Sequence, residues 1–145
     1  MKVLIINGPN LNMLGTRERH VYGANSYQEM CTYLRDKAEE IDMEVDIVQS
    51  NHEGEIVEYI QKSSENYDGI IINPGAYTHY SIVICDALKA TSVPVVEVHL
   101  SNIYSREEFR KKSITVEPCV GQICGFGAYG YVLGMLGLKQ RCGLL

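Results

Sequence analysis

The sequence predicts an α/β fold, a parallel β-sheet with helices on both faces. Three observations predict it. Short β-branched runs recur, as at Ile70-Ile71-Ile72, and such runs mark strands buried on both faces. Stretches with a 3.6-residue apolar period separate them. Polar turns follow the strands directly, most plainly at Asn73-Pro74-Gly75. Strands alternating with helices give a parallel sheet whose crossovers cover both sides.

Residues 2–7 form the first expected strand, running directly into Gly8-Pro9. Residues 8–25 carry Gly8, Pro9, Gly15 and Gly23 and show no helical period. Roughly eighteen residues without regular structure is long for a connection and points to a functional loop. With Arg17, Arg19, His20 and Tyr22 on it, this one reads as an active-site lid. Ser26-Tyr27-Gln28-Glu29 is a capping box. It opens a helix whose inward positions are Met30, Tyr33, Leu34, Ala38 and Ile41. Residues 44–50 alternate around Val45 and Ile47 as a second strand, and residues 53–64 form a second helix facing in through Ile56, Tyr59 and Ile60. Residues 69–73 are the third strand, and an apolar helix is expected from about His79 to Ala90. Residues 94–99 are the fourth strand. Ser105-Arg106-Glu107-Glu108 reads as a second capping box, opening a short helix through Lys111. A fifth strand falls within residues 115–124, and a glycine-rich helix closes the chain through about Lys139. Five strands in one short domain, residues 1–145, suggest the flavodoxin-like order 2-1-3-4-5.

Composition narrows the function classes. Apolar residues make up 46% and charged residues 21%, an ordinary globular balance. No apolar run approaches the length that spans a bilayer, and no secretory signal is expected at the N-terminus. The five cysteines are an odd number without a C-x-x-C pair, which fits reduced thiols in a cytoplasmic protein. Cys119 and Cys124 match no usual zinc spacing, so a zinc site there is not expected. A net charge of -5 argues against nucleic acid as a partner.

The chemistry gathers after the strands. Asn7, Asn10 and Asn12 follow strand one; Ser50, Asn51 and His52 follow strand two; Asn73 and His79 follow strand three. Strand four ends in Glu97 and His99, then Leu100-Ser101-Asn102. In this topology these positions point to one rim, where open α/β sheets bind ligands. Carboxamides suit hydroxyls, carbonyls and positioned waters. Glu97 and His99 alternate with Val96 and Val98, so both project to one face. A carboxylate beside an imidazole fixes its tautomer, which suits a general acid. Tyr22 shares the lid with Arg17, and a nearby guanidinium favours the phenolate a base requires.

These residues also carry a resemblance. Asn7-Gly8-Pro9-Asn10-Leu11-Asn12 with Arg17-Glu18 and Tyr22-Gly23 resembles the N-terminal signature of type II 3-dehydroquinate dehydratases. So do Gln49-Ser50-Asn51-His52-Glu53-Gly54, Asn73-Pro74-Gly75-Ala76-Tyr77-Thr78-His79, Asp86-Ala87-Leu88 and Glu97-Val98-His99-Leu100-Ser101-Asn102 with Arg110. Ile123-Cys124-Gly125 and Gly127-Ala128-Tyr129-Gly130-Tyr131 fit as well. The likeness implies a cofactor-free hydro-lyase that converts 3-dehydroquinate to 3-dehydroshikimate in shikimate or quinate metabolism. It implies that Tyr22, on a lid with Arg17, is the base, and that Asn10 holds a water at the enolate oxygen. His99, oriented by Glu97, protonates the leaving hydroxyl. By the same likeness Asn73, His79 and Arg110 bind ring hydroxyls, while Ser101 and the backbone amides near Leu100 take the carboxylate. It further implies trimers packed into a dodecamer, with Asp86 reaching a neighbour's site. The chain departs from the family pattern at Arg19, where proline is common, and at Cys85, where arginine is common.

Two rivals share the topology. A phosphoryl-receiver domain needs acidic residues where Asn7 and Asn73 stand, and a flavin carrier needs a hydroxyl-rich phosphate loop after strand one. Neither pattern is present. A non-catalytic small-molecule binding domain is the alternative that the residues leave open.

Overall fold

The computed structural model describes residues 1–16 and 25–145; Arg17, Arg19, His20 and Tyr22 of the expected lid lie outside the described residues. Five strands, β1 (Lys2–Asn7), β2 (Glu44–Gln49), β3 (Gly69–Asn73), β4 (Val95–His99) and β5 (Gly121–Cys124), pair in parallel in the order β2-β1-β3-β4-β5. The helices are α1 (Tyr27–Glu40), α2 (Glu53–Asn66), α3 (Ile82–Ala90) and α4 (Tyr129–Arg141).

Alternation along the strands sorts the apolar residues into two cores. Val3, Ile5, Ile71, Val96 and Val98 pack with Leu34 of α1 and Tyr131 and Met135 of α4. Leu4, Ile6, Ile70, Ile72 and Val95 face the other way, onto Ile56 and Ile60 of α2 and Ile84 and Leu88 of α3. The sheet is thus covered on both faces, and polar residues gather where its strands end. No helix among the described residues is long and apolar enough to cross a membrane.

The capping box of α1 forms as the sequence predicts. The Ser26 hydroxyl accepts from the Glu29 amide, and the Glu29 carboxylate accepts from the Ser26 amide, both at 3.1 Å. Other boundaries differ. The expected helix from His79 begins three residues later, because Gly75–His79 is a separate 3-10 turn. Ser81 caps α3, accepting from the Ile84 amide at 3.1 Å while its hydroxyl donates to Glu53. The second capping box does not form. Ser105 closes one 3-10 turn, Ile103–Ser105, and bonds the Asn102 carbonyl, while Glu108–Arg110 is another turn without a side-chain cap. Too few residues separate these turns from their neighbours to build a stable helix.

Two loops close over the end of the sheet through glycine. The Gly8 amide donates to the Asn73 carbonyl at 2.7 Å, and a Cβ at Gly8 would stand 2.6 Å from the Pro74 carbonyl oxygen. Gly75 turns the neighbouring loop at φ +59°, a conformation open chiefly to glycine.

Candidate active site

A cavity of about 300 Å³ opens at the carboxyl ends of β1, β3 and β4. The loop after β1 contributes Asn10 and Leu11; the loop after β3 contributes Asn73 and His79. His99, Leu100 and Ser101 come from the end of β4, and Arg106 and Arg110 from the turns beyond. The structure therefore brings together Asn10, Asn73, His79, His99, Leu100, Ser101 and Arg110 in one wall.

Backbone geometry aims Asn10. It has φ 69°, unusual for a residue other than glycine. Its amide donates to the Asn51 side chain at 3.0 Å, which leaves its own carboxamide to the cavity. Asn51 accepts from Gln49 as well, so the residues after β2 brace the rim rather than line it. Ser50 and His52 likewise bond each other rather than face the cavity.

Beneath the cavity Asn73 is held from both ends. Its Nδ2 donates to the Tyr131 hydroxyl at 3.0 Å, and its Oδ1 accepts from the Gly75 amide at 3.1 Å. The Tyr131 hydroxyl in turn donates to Asn7 at 2.6 Å. Asn7 and Asn73 are register partners across β1 and β3, so one tyrosine of α4 ties the two strand ends. Asn7 supports the floor and does not reach the cavity.

A buried polar pair stands at the end of β4. Glu97 is 0% exposed and His99 only 5%, yet both are polar, so each must find partners inside. His99 Nε2 lies 2.7 Å from Glu97 Oε1. An ionised carboxylate only accepts, so Nε2 carries the proton and Nδ1 is left to serve a ligand. Four more groups donate to Glu97: Thr78, Ser113 and Gln122 to Oε1, and Thr115 to Oε2. Burial alone would raise the Glu97 carboxyl. The hydrogen bond and charge of His99, then the Thr115 and Gln122 hydrogen bonds, outweigh burial and bring it down to about 2.

A carboxyl held below its ordinary value of 4.5 stabilises the fold only while ionised. That contribution is complete above about pH 5 and is lost as pH falls toward the folded value of about 2. Across that window the parent protein should lose up to about 3 kcal/mol more stability than Glu97→Gln, at 1.36 kcal/mol per pKa unit. Urea midpoints measured from pH 6 to pH 2 give the comparison. Parallel curves for the two proteins would show that Glu97 is not held ionised by the fold.

His79 has a different anchor. Its Nδ1 lies 2.7 Å from the Lys112 carbonyl, so Nδ1 donates and Nε2 is left as an acceptor. Arg110 Nε pairs with Glu107 at 2.6 Å. Arg106 reaches Ser101 Oγ through Nη1 at 3.5 Å. Sequence reasoning assigned Arg106 to a cap and missed its place on this wall. It also missed Thr78, Ser113, Thr115 and Gln122; only the hydroxyls flanking Ile114 hinted at a polar partner. Asp86 is absent from the wall: it lies on the exposed side of α3 with Ile82 and Val83. Among the described residues, no group of three His, Cys, Asp or Glu side chains could hold a metal ion.

A parallel five-stranded sheet in the order β2-β1-β3-β4-β5, with a carboxylate-backed imidazole at its rim, defines a flavodoxin-like α/β protein. The family model for dehydroquinase class II matches residues 1–139. The chain belongs to the class II dehydroquinases. A protein of Clostridium acetobutylicum named 3-dehydroquinate dehydratase is 55% identical over 140 residues, spanning 97% of each chain. The crystal structure of the type II dehydroquinase from Butyrivibrio crossotus superposes with a TM-score of 0.94 at 48% identity, covering 96% of this chain and 97% of that one. The type II dehydroquinase from Propionibacterium acnes gives 0.93 at 36% identity, covering 96% of each.

Proposed function

We propose that the chain is a 3-dehydroquinate dehydratase, eliminating water from 3-dehydroquinate through an enolate to give 3-dehydroshikimate. The observation that carries this reading is the buried Glu97–His99 pair on the wall of a cavity that also holds Asn10, Asn73 and two arginines. Elimination beta to a ketone needs a base, an acid and a stabilised enolate. Tyr22, assigned by family likeness, takes the C2 proton as phenolate, and the electron pair becomes the enolate at C3. A water held by Asn10 donates to that oxygen. As the enolate collapses, C1=C2 forms, the C1–O bond breaks and His99, entering this step as imidazolium with Nε2–H kept on Glu97, gives its Nδ1 proton to the departing hydroxyl. Water leaves, and Tyr22 and His99 exchange protons with solvent to reset.

The remaining wall fits the substrate's polar groups. Asn73, His79 and Arg110 face ring hydroxyls, while Ser101 and the Leu100 amide face the carboxylate. Arg106, bonded to Ser101, adds a positive charge at that end. The test is the rise in enone absorbance when purified protein meets 3-dehydroquinate. Binding without that rise would favour a non-catalytic binding domain.

The same reading includes a cytoplasmic protein assembled as trimers in a dodecamer, with Asp86 acting in a neighbouring subunit's site. In support, Ile82 is 67% and Val83 52% exposed beside Asp86, an apolar surface that a partner would cover. Co-assembled Asp86→Ala and Tyr22→Phe subunits, each inactive alone, should regain part of the activity, because some interfaces pair an intact Tyr22 with an intact Asp86. Mixed oligomers verified by mass that regain nothing would remove Asp86 from the shared site.

A further inference from the structure

We propose that Thr115 and Gln122 are positioning residues for the acid step. Together they hold the Glu97 carboxylate in the orientation that keeps the proton on His99 Nε2 and leaves Nδ1 to the cavity. This rests on the reading of His99 as the acid.

The two oxygens of Glu97 are held unequally. Oε1 receives His99 at 2.7 Å, Thr78 at 2.9 Å, and Ser113 and Gln122 at 3.0 Å. Oε2 receives Thr115 alone among these, at 2.6 Å. The Thr78 and Ser113 hydroxyls lie 2.7 Å apart, and each has one proton. Either can turn toward the carboxylate while the other bonds it, so these two substitute for one another. Thr115 also lies 2.7 Å from the Thr78 hydroxyl, but Thr78 bonds Oε1, whereas Thr115 bonds Oε2 and Gln122 supplies the amide donor to Oε1.

Gln122 is the register partner of Glu97 across β4 and β5, which sets the two side chains beside each other. Its amide can point only one way. Nε2 donates to the carboxylate, and its Oε1 accepts the Tyr104 hydroxyl at 2.5 Å. Turned over, it would set a carbonyl against a carboxylate, so Glu97 fixes the flip, while the phenol, able to donate or accept, holds the amide in place. Tyr104 thus anchors the amide, and the amide anchors Oε1.

Thr115 is 0% exposed and stands on a strap that braces both imidazoles of the cavity. The Lys112 carbonyl of that strap accepts a hydrogen bond from His79 Nδ1, and the Ile114 amide donates to the Thr78 carbonyl at 2.8 Å. Without the Thr115 hydroxyl, Oε2 is a buried charge with no side-chain donor among the described residues. The carboxylate would then rotate or take up a proton. Either change deprives His99 Nε2 of a fixed, ionised acceptor, so the ring is free to change tautomer and loses the partner that orients it and stabilises the imidazolium the acid step needs.

The variants are Thr115→Val, Gln122→Leu and the pair, with Thr115→Ser as the variant that keeps the hydroxyl. Ring ¹⁵N spectra of His99 in the free protein read the tautomer without substrate. The parent should show protonated Nε2, and the double variant should gain the Nδ1-protonated form. Each single change should lower kcat by about tenfold with KM within about twofold, the pair should lower it further, and Thr115→Ser should restore most of it. Tyr104→Phe, at a residue 46% exposed, is a milder probe should the pair not fold. It frees the Gln122 amide and should shift the His99 spectrum in the same direction. A parent-like His99 spectrum and kcat in the double variant, or in Tyr104→Phe where the pair does not fold, would overturn the proposal. Failure of the dehydratase reading would show instead as absent turnover in the parent, whereas failure of this inference shows as an unmoved tautomer.

Discussion

Replacing His99 by alanine should lower kcat by about a thousandfold and leave KM within a few-fold of the parent. The proton that His99 supplies is needed only as the C1–O bond breaks. Removing it therefore raises the barrier without weakening the bound ground state. A general acid contributes about two to four orders of magnitude, and the buried partner argues for the upper part of that range. Glu97 is fully enclosed, ionised and bonded to Nε2 at 2.7 Å, so the imidazole is oriented before substrate arrives. Steady-state kinetics with 3-dehydroquinate separates the roles. A variant with parent kcat and a raised KM would make His99 a binding residue.

Tyr22→Phe should lower kcat by at least about a thousandfold while the substrate still binds. The change removes one oxygen and keeps the ring, so what it tests is the proton. A phenol is a poor base at its ordinary pKa near 10, and Arg17 is the neighbour in sequence suited to stabilise the phenolate. Arg17→Ala should accordingly move the limb on which activity rises with pH toward higher pH. Calorimetry with a substrate analogue and a pH–rate profile measure both effects. Near-normal turnover in Tyr22→Phe would remove it as the base, and a fixed limb in Arg17→Ala would separate the two residues.

Much of the frame is legible from local pattern. The run Ile70-Ile71-Ile72 and the turn after it place the end of β3. The parity of Glu97 and His99 about Val98 puts both on one face of β4. Once five strands alternate with helices, the parallel order follows, because crossovers must return over the sheet. The capping box at Ser26 is a signal spanning four residues, and it forms. The box at Ser105 has the same letters but no helix behind it. The local motif is the same, and the packing that would sustain a helix is missing.

Local pattern set the strands, their faces and the rim at which Asn10, Asn73, His79, His99 and Ser101 meet, while Arg110 was reached only through family likeness. Those properties repeat every two residues or every 3.6, so a short window contains them. Tertiary structure alone decided what holds the acid in place. Thr78, Thr115 and Gln122 lie 19, 18 and 25 residues from Glu97, with no period linking them to it. It likewise decided that Arg106 belongs to the cavity and that Ser81 caps α3. A buried carboxylate announces that it needs donors, and only the packed chain can say which residues supply them, because that choice is made by burial across the fold and not by neighbours in sequence.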